Sequence, residues 1–435
     1  MTPFVDVLMW IFGAILCILF LFIAFSGVII IISLFKRPKF ERYTPKVSIV
    51  VPVHNESKNI ESCLKCIFSS KYPKELYEVI VVDDGSTDDS VQLVRRFKDV
   101  RLIRLNHKGK SAALNLGIKN CKYEIVLTLD ADTLLQRETL MRIVLPFSDK
   151  SVGATIGTYK VGNRVNMLTA FQAIEYSYNN LIRMGFSRVF RDSVWFYGAM
   201  SCYRKSALEK AGKIHADTLT EDMDISIRLQ NKGYTVIHVH DAYSTTIVPE
   251  TIKGFFKQRI RWWTGVLQSM HKNRKQSYNN IFHRPSSASK LSSDAPKHSK
   301  IPLMFVYLNQ WWWSVFALIS FPMFIIQIMY WLPYNLATFT DTFMYLFRWF
   351  SMLGPLYSIY MIPVWGINFF SIFGILAGLI SVTFIIVSVT IFRDTVRLRE
   401  VLAIFFYFPY TLMLNSVILV SVIKYMLSDT EGFVK

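Results

Sequence analysis

The nine residues LTLDADTLL, Leu127 to Leu135, set two carboxylates one residue apart at the end of an apolar run. Burying charge is costly unless a partner or an ion offsets it. Alternate residues of a strand share a face, so Asp130 and Asp132 both reach one ion if the chain turns just beyond them. Hard oxygen donors in small number suit Mg2+ or Mn2+, which complete their shells with phosphate oxygens and water. By itself the pattern also describes a solvated turn, and other stretches have to narrow it. In DDGSTDDS, Gly85 permits a tight turn after Asp83 and Asp84. One of these carboxylates can accept from the imide N–H of a uracil, although Ser86–Asp89 is equally good helix-capping chemistry. HKGKSAALNLGI places Lys108 and Lys110 at a glycine-marked helix entry, a natural site for phosphate oxygens. In TLTEDMDISIRLQ, Thr218 and Glu221 fit a capping box, which leaves Asp222 as a candidate general base.

TIKGFFKQRIRWWTGVLQ, Thr251 to Gln268, is the most informative segment. At about 3.6 residues per turn, Ile252, Phe255, Phe256, Ile260, Trp263 and Leu267 make one apolar face. Gln258 and Arg261 lie nearly opposite, with Trp262 at the edge. With Lys253, Lys257 and Arg259 added, the segment reads as an amphipathic helix in the plane of a membrane interface. Its polar face can set Arg261 against a leaving phosphate and Trp262 as a stacking wall for a sugar ring.

These residues need a frame. Apolar, β-rich runs at Val47–Val53, in EVIVVDD, at Arg101–Leu105 and at Tyr123–Leu129 alternate with helical stretches at Ser57–Ser70, Asp88–Phe97 and Lys110–Asn120. Such alternation predicts a parallel α/β sheet, whose ligands bind beyond the carboxyl ends of the strands. Asp83, Asp84, Asp130 and Asp132 all fall at strand ends. After Lys150 the pattern is less regular, as suits a half that holds an acceptor.

The 435 residues are 52% hydrophobic, and the apolar ones are segregated. No charge occurs from Leu8 to Phe35, more than the roughly 20 residues a bilayer span needs, and the basic KRPKFERYTPK follows. This predicts a retained span with the insert on the cytosolic side. Uncharged runs recur at Ile301–Thr340, Trp349–Phe392 and Val401–Ile423, and Arg393–Glu400 belongs in the cytosol by the same rule. Four spans are favoured, the two middle runs each being long enough for one span plus an interfacial piece or for two. The net charge of +18 does not point to nucleic acid, because no helix-turn-helix, zinc-finger or RNA-recognition pattern accompanies it. Anionic headgroups and a diphosphate ligand account for it. Five cysteines on a reducing side predict no disulfide framework, and Cys63–Cys66 lacks a second pair or a nearby histidine.

Taken in order, VPVHNE, DDGS, DAD, TED and QRIRW between apolar segments resemble the membrane-bound family-2 glycosyltransferases, most nearly the poly-N-acetylglucosamine synthases, with hyaluronan, chitin and cellulose synthases as wider relatives. The resemblance covers roughly Val47 to Gly265 and implies a GT-A α/β catalytic domain, a UDP-sugar donor, Mg2+ or Mn2+, and inversion at the anomeric carbon. Residue by residue it implies Asp83 and Asp84 at the uridine, Lys110 and Arg261 at the phosphates, and Asp130 and Asp132 at the metal and diphosphate. It further implies Asp222, beside Glu221, as the base, and Gln258 and Trp262 at the acceptor. FYGAMSCYRKSAL, with Gly198, is similar to the acceptor floor but lacks the serine-glycine of many relatives. The expected division is a membrane helix at 1–36, a cytosolic GT-A domain at 37–248, the interface helix at 249–270, a polar linker at 271–300 and a membrane region at 301–428. Two acceptors stay open: a growing polysaccharide exported through the plasma membrane, or a lipid-linked acceptor that takes one sugar. Oligomeric state is not legible.

Overall fold

The computed structural model describes residues 3–36, 38–283, 299–335, 338–340, 342–343, 351–360, 362–365 and 369–427. Among them are eight strands: β1 (Val47–Val53), β2 (Tyr77–Asp84), β3 (Val100–Leu105), β4 (Ile125–Leu129), β5 (Leu134–Leu135), β6 (Val152–Val161), β7 (Met200–Arg204) and β8 (Thr235–Thr246). They form one sheet in the order β3-β2-β1-β4-β7-β6-β8-β5.

The four strands nearest the N-terminus pair in parallel, as their alternation with helices predicts. Beyond β4 the sheet is mixed. β7 runs antiparallel to both β4 and β6, β8 is parallel to β6, and β5 is antiparallel to β8. β1 is buried on both faces: Val47, Ile49 and Val51 pack with Ile60, Leu64 and Ile67 of the helix Ile60–Phe68. On the other face Val50 meets Val82, Leu114 and Val126. The helix Lys110–Lys119 comes close enough to the sheet that only glycine fits at 117, where a Cβ would lie 2.3 Å from Val50 Cγ1. That contact fixes the helix whose first residue is Lys110.

The helix Met167–Phe190 is the seam between the sheet and the apolar helices. It lies along the helix Pro3–Phe35, where Gly185 faces Ile29 and Ile30, Arg188 donates to the Ser33 carbonyl (3.2 Å), and Lys36 donates to that of Val189 (2.8 Å). The segments Gly13–Phe35 and Phe408–Leu427 are long and apolar enough to cross a membrane. The helices Ile301–Asn335 and Phe369–Ile391 carry no charged residue. The loop that joins Phe369–Ile391 to Leu398–Phe405 docks on the sheet domain. There Asp394 meets Arg164 (2.9 Å) and Lys160 (3.5 Å) and accepts from the Ser177 hydroxyl. The RDTVRLRE stretch therefore lies against the sheet domain.

Two sequence expectations change here. The helix expected over 249–270 runs without a break from Ile252 to Phe282, so 271–282 is helical, and residues 284–298 of the expected linker lie outside the described residues. Arg259 is not one of the exposed interfacial cations. Its side chain is only 6% exposed and its guanidinium bonds Glu175 on Met167–Phe190 (2.8 Å), which a helix-wheel reading cannot see because the partner lies 84 residues away.

Candidate active site

The site is assembled by short chain segments at the carboxyl ends of β2 and β4. Asp84, buried at the end of β2, accepts from the backbone N–H of Lys108 (2.7 Å) and of Gly109 (2.8 Å). This grip holds the loop that enters the helix Lys110–Lys119, with Gly109 at φ +87°, where a side chain would be strained. Beside it the rings of His54 and His107 lie tilted against each other at 30° with centroids 4.3 Å apart, and each Nδ1 lies within 3.1 Å of the Asp84 carbonyl oxygen. Asp83 is spent on the turn itself, accepting from Ser86 N–H (3.0 Å) and Arg104 Nε (3.3 Å).

Lys110 joins two motifs that are far apart in sequence. Its Nζ lies 2.8 Å from Asp130 and 3.3 Å from Glu221. Burial works against its charge, but the Asp130 and Glu221 carboxylates hold it firmly protonated. Asp132 has no such cation in ion-pair contact among the described residues: burial first, then Asp130 and Glu56, push its carboxyl up to about 6. Two carboxylate oxygen donors close together, one of them raised by burial although Thr133 and Lys110 act against the shift, fit a hard divalent cation.

The capping box expected of Thr218 and Glu221 does not form. The Thr218 hydroxyl bonds the Thr220 carbonyl (3.3 Å), and Glu221 is left to face Lys110. Burial raises the Glu221 carboxyl, but Lys110 outweighs it and holds the carboxyl below its ordinary value, with Arg261 adding to the effect. Asp222 is pushed the other way, up to about 7, by burial and then by the negative charge of Glu221. Two adjacent acids thus acquire opposite tendencies.

The helix Glu221–Asn231 that carries them is clamped to Ile252–Phe282. Its buried Asp224 accepts from Arg228 (2.9 Å), Lys272 (3.1 Å) and Asn273 (2.8 Å). A Cβ on Gly265 would fall 2.7 Å from Thr220, so the two helices meet where only glycine fits.

The same long helix brings its Trp262 into the site, stacked on Tyr197 with centroids 6.2 Å apart and planes at 25°. The Arg259 guanidinium sits 4.5 Å from the Trp262 ring centroid, and that of the fully buried Arg183 sits 4.2 Å from the Tyr197 centroid. Gln258 Oε1 is buried with no donor to it among the described residues. Lys110, Asp130, Asp132, Glu221, Asp222, Arg261 and Trp262 therefore surround one region, with Asp84 shaping its edge. From sequence, Tyr197 is covered only as part of the acceptor-floor segment, Arg259 reads as an interfacial cation, and the His54–His107 pair is not assigned. Their convergence depends on chain crossings that no local spacing encodes.

Gly198, expected at the acceptor floor, has a nearer neighbour. A Cβ there would lie 3.0 Å from Asp222 Oδ2 and 3.1 Å from Asp222 Cβ. Gly198→Ala is expected to displace the carboxylate and lower turnover by roughly tenfold to a hundredfold, since misplacement on the ångström scale has such costs. Nucleotide affinity, measured by calorimetry, is expected to stay near wild type; an equal loss of both would assign Gly198 to donor binding instead.

The sheet and its acidic mouth define a GT-A-like α/β glycosyltransferase fold. Residues 48–212 match Glycosyl transferase family 2. Over 225 residues the chain is 32% identical to a poly-beta-1,6-N-acetyl-D-glucosamine synthase of Staphylococcus epidermidis, covering 50% of this chain and 54% of that protein. The protein of the same name from Staphylococcus aureus (strain COL) is 33% identical over 226 residues, with the same coverage of 50% and 54%. The match thus spans about half the length of these curated relatives. A mannosyltransferase from Pyrobaculum calidifontis, in complex with GDP-Man and Mn2+, shares the fold with a TM-score of 0.57 at 20% identity, covering 96% of this chain and 99% of that one. The chain carries a family-2 glycosyltransferase domain related to the poly-N-acetylglucosamine synthases.

Proposed function

We propose that this chain is an inverting, divalent-metal-dependent glycosyltransferase that moves a sugar, GlcNAc or another hexose, from a UDP-sugar to a growing polysaccharide at the cytosolic face of the plasma membrane. The observation that carries the reading is the bridge from Asp130 through Lys110 to Glu221, with Asp222 adjacent and the Trp262–Tyr197 pair beside them. In this reading Asp222 takes the proton of the acceptor hydroxyl as that oxygen bonds the anomeric carbon. The bond from that carbon to the diphosphate breaks on the opposite face, and the leaving group departs with its electron pair towards Lys110 and Arg261. Preorganised cations aimed at developing charge are among the largest contributions an enzyme makes. Asp130 and Asp132 would hold Mg2+ or Mn2+, which supplies neutralisation of the departing diphosphate. Asp84, with Asp83 behind it, shapes the nucleoside edge. Trp262 and Gln258 receive the acceptor, one by stacking and the other through its unpartnered carbonyl oxygen.

The helices Pro3–Phe35, Ile301–Asn335, Phe369–Ile391 and Phe408–Leu427 supply four spans in this reading, and the docked Asp394 loop supports an even number of crossings between the sheet domain and itself. Transfer of one sugar to a lipid-linked acceptor is the second reading. What favours it is that the helix bearing Trp262 packs directly on Phe408–Leu427, with Phe255 and Tyr410 rings 5.4 Å apart. Purified protein is incubated with UDP-GlcNAc, UDP-Glc, UDP-GlcA or GDP-Man, and the product is sized and partitioned. High-mass aqueous product from a UDP-sugar is expected; label confined to the organic phase favours the second reading, and release from no donor overturns both. Chelation with EDTA is expected to abolish release of the nucleoside diphosphate and added Mn2+ or Mg2+ to restore it, read by a coupled assay. An EDTA-resistant rate would remove the metal from the proposal.

A further inference from the structure

We propose that the groove between the end of the helix Ile252–Phe282 and the start of Ile301–Asn335 is a binding site for an anionic phospholipid. The cavity is about 610 Å³. His271, Arg274, Lys275, Tyr278 and Phe282 fall at i, i+3, i+4, i+7 and i+11, so one helix face contributes cations first and aromatic rings after them. Neither Arg274 nor Lys275 enters an ion pair among the described residues, although each lines the groove. Burial and the neighbouring Arg274 both hold the His271 imidazole below its ordinary value, as a locally positive region does.

The opposite wall has different chemistry. Leu308 and Trp311 of Ile301–Asn335 line it and are about half exposed, 52% and 50%. They stand one turn apart on a helix without a charged residue. The Tyr307 hydroxyl closes the floor through the Met270 carbonyl (3.0 Å) and Ser277 Oγ (2.9 Å), so the two walls are held together rather than merely adjacent. A ligand that satisfies both walls is an amphiphile with a phosphate head near Arg274 and Lys275 and an acyl chain along Leu308 and Trp311. Basic pockets beside membrane helices on the cytosolic side recognise anionic headgroups in this way. A soluble phosphate would leave the exposed apolar wall in water, and a neutral lipid would leave the cations without a counter-charge.

The inference rests on Ile301–Asn335 lying in the bilayer and on nothing in the transfer chemistry. Full-length protein in mild detergent is incubated with equal phosphatidylglycerol and phosphatidylcholine, and retained lipid is read by native mass spectrometry. Wild type is expected to retain phosphatidylglycerol preferentially, and Arg274→Gln/Lys275→Gln to lower that retention roughly thirtyfold, as two interfacial basic residues imply. Lys253→Gln/Lys257→Gln, which removes exposed cations of the same helix outside the groove, is expected to retain it. Equal retention of the two lipids, or unaltered retention in Arg274→Gln/Lys275→Gln, overturns the site. Displacement of the lipid by excess glycerol phosphate would reassign the groove to a soluble anion and also overturns it. Extraction of wild type from membranes by carbonate is the separate result that would remove the bilayer reading itself.

Discussion

Asp222→Asn is expected to lower nucleoside diphosphate release by about 10²–10⁴-fold, the range a positioned general base contributes, while nucleotide binding stays within a few-fold of wild type. The substitution keeps the shape that fits against Gly198 and the acceptor from Met223 N–H (2.8 Å), so a folding defect is not the expected cause. The pH profile separates this role from a structural one. The carboxyl of Asp222 is raised to about 7 by burial and by Glu221, and only its deprotonated form accepts a proton. Wild-type turnover should therefore fall as pH drops through about 7 and level off above it. The residual rate of Asp222→Asn should lack that limb, because the group that titrates there has gone. Glu221→Gln should move the limb to lower pH by removing the charge that helps raise Asp222. A variant with the wild-type profile, merely scaled down, would take the base role away from Asp222.

How much of this was legible before any coordinates depends on which residues one asks about. β1 is found at Val47–Val53, where its apolar run placed it, because a strand buried on both faces announces itself by composition alone. Asp84, Asp130 and Asp222 were legible for a related reason: the first two stand at or just beyond the end of an apolar strand, and the third at the start of a helix. What stayed hidden is pairing across the chain. Glu221 looked like a capping residue because its local spacing allows that, and only the fold brings Lys110 to it. Asp83 looked interchangeable with Asp84, but a strand alternates its faces, so one carboxylate holds its own turn while the other holds the Lys110 loop. The antiparallel half of the sheet was hidden too, since the long helix Met167–Phe190 that returns the chain has no pattern specifying strand direction. Arg259 was misread for the same reason as Glu221: QRIRW contains two arginines, and position alone does not say which is buried.

That buried arginine carries the second large effect. Glu175→Ala is expected to destabilise the protein by about 3–5 kcal/mol, the usual result of removing one member of a buried ion pair and leaving the other without its counter-charge. Arg259 is 6% exposed and Glu175 13%, and the same Glu175 oxygen accepts from the hydroxyl of Tyr410, which is fully buried on Phe408–Leu427. One carboxylate thus ties together the seam helix, the helix bearing Trp262 and an apolar helix. Arg259 Nε is already without a partner among the described residues, so the guanidinium has no spare acceptor to turn to. The measurement is chemical denaturation of detergent-purified protein followed by tryptophan fluorescence. A second variant separates charge from shape: Glu175→Leu/Arg259→Met fills similar volume without leaving a charge stranded and should recover most of the loss. Its activity should nevertheless stay below wild type, because the Arg259 guanidinium that lies against Trp262 is gone. Glu175→Ala with wild-type stability would show that the pair forms no part of what holds the apolar helices to the site. Full activity in the double replacement would show that Trp262 keeps its place against Tyr197 without it.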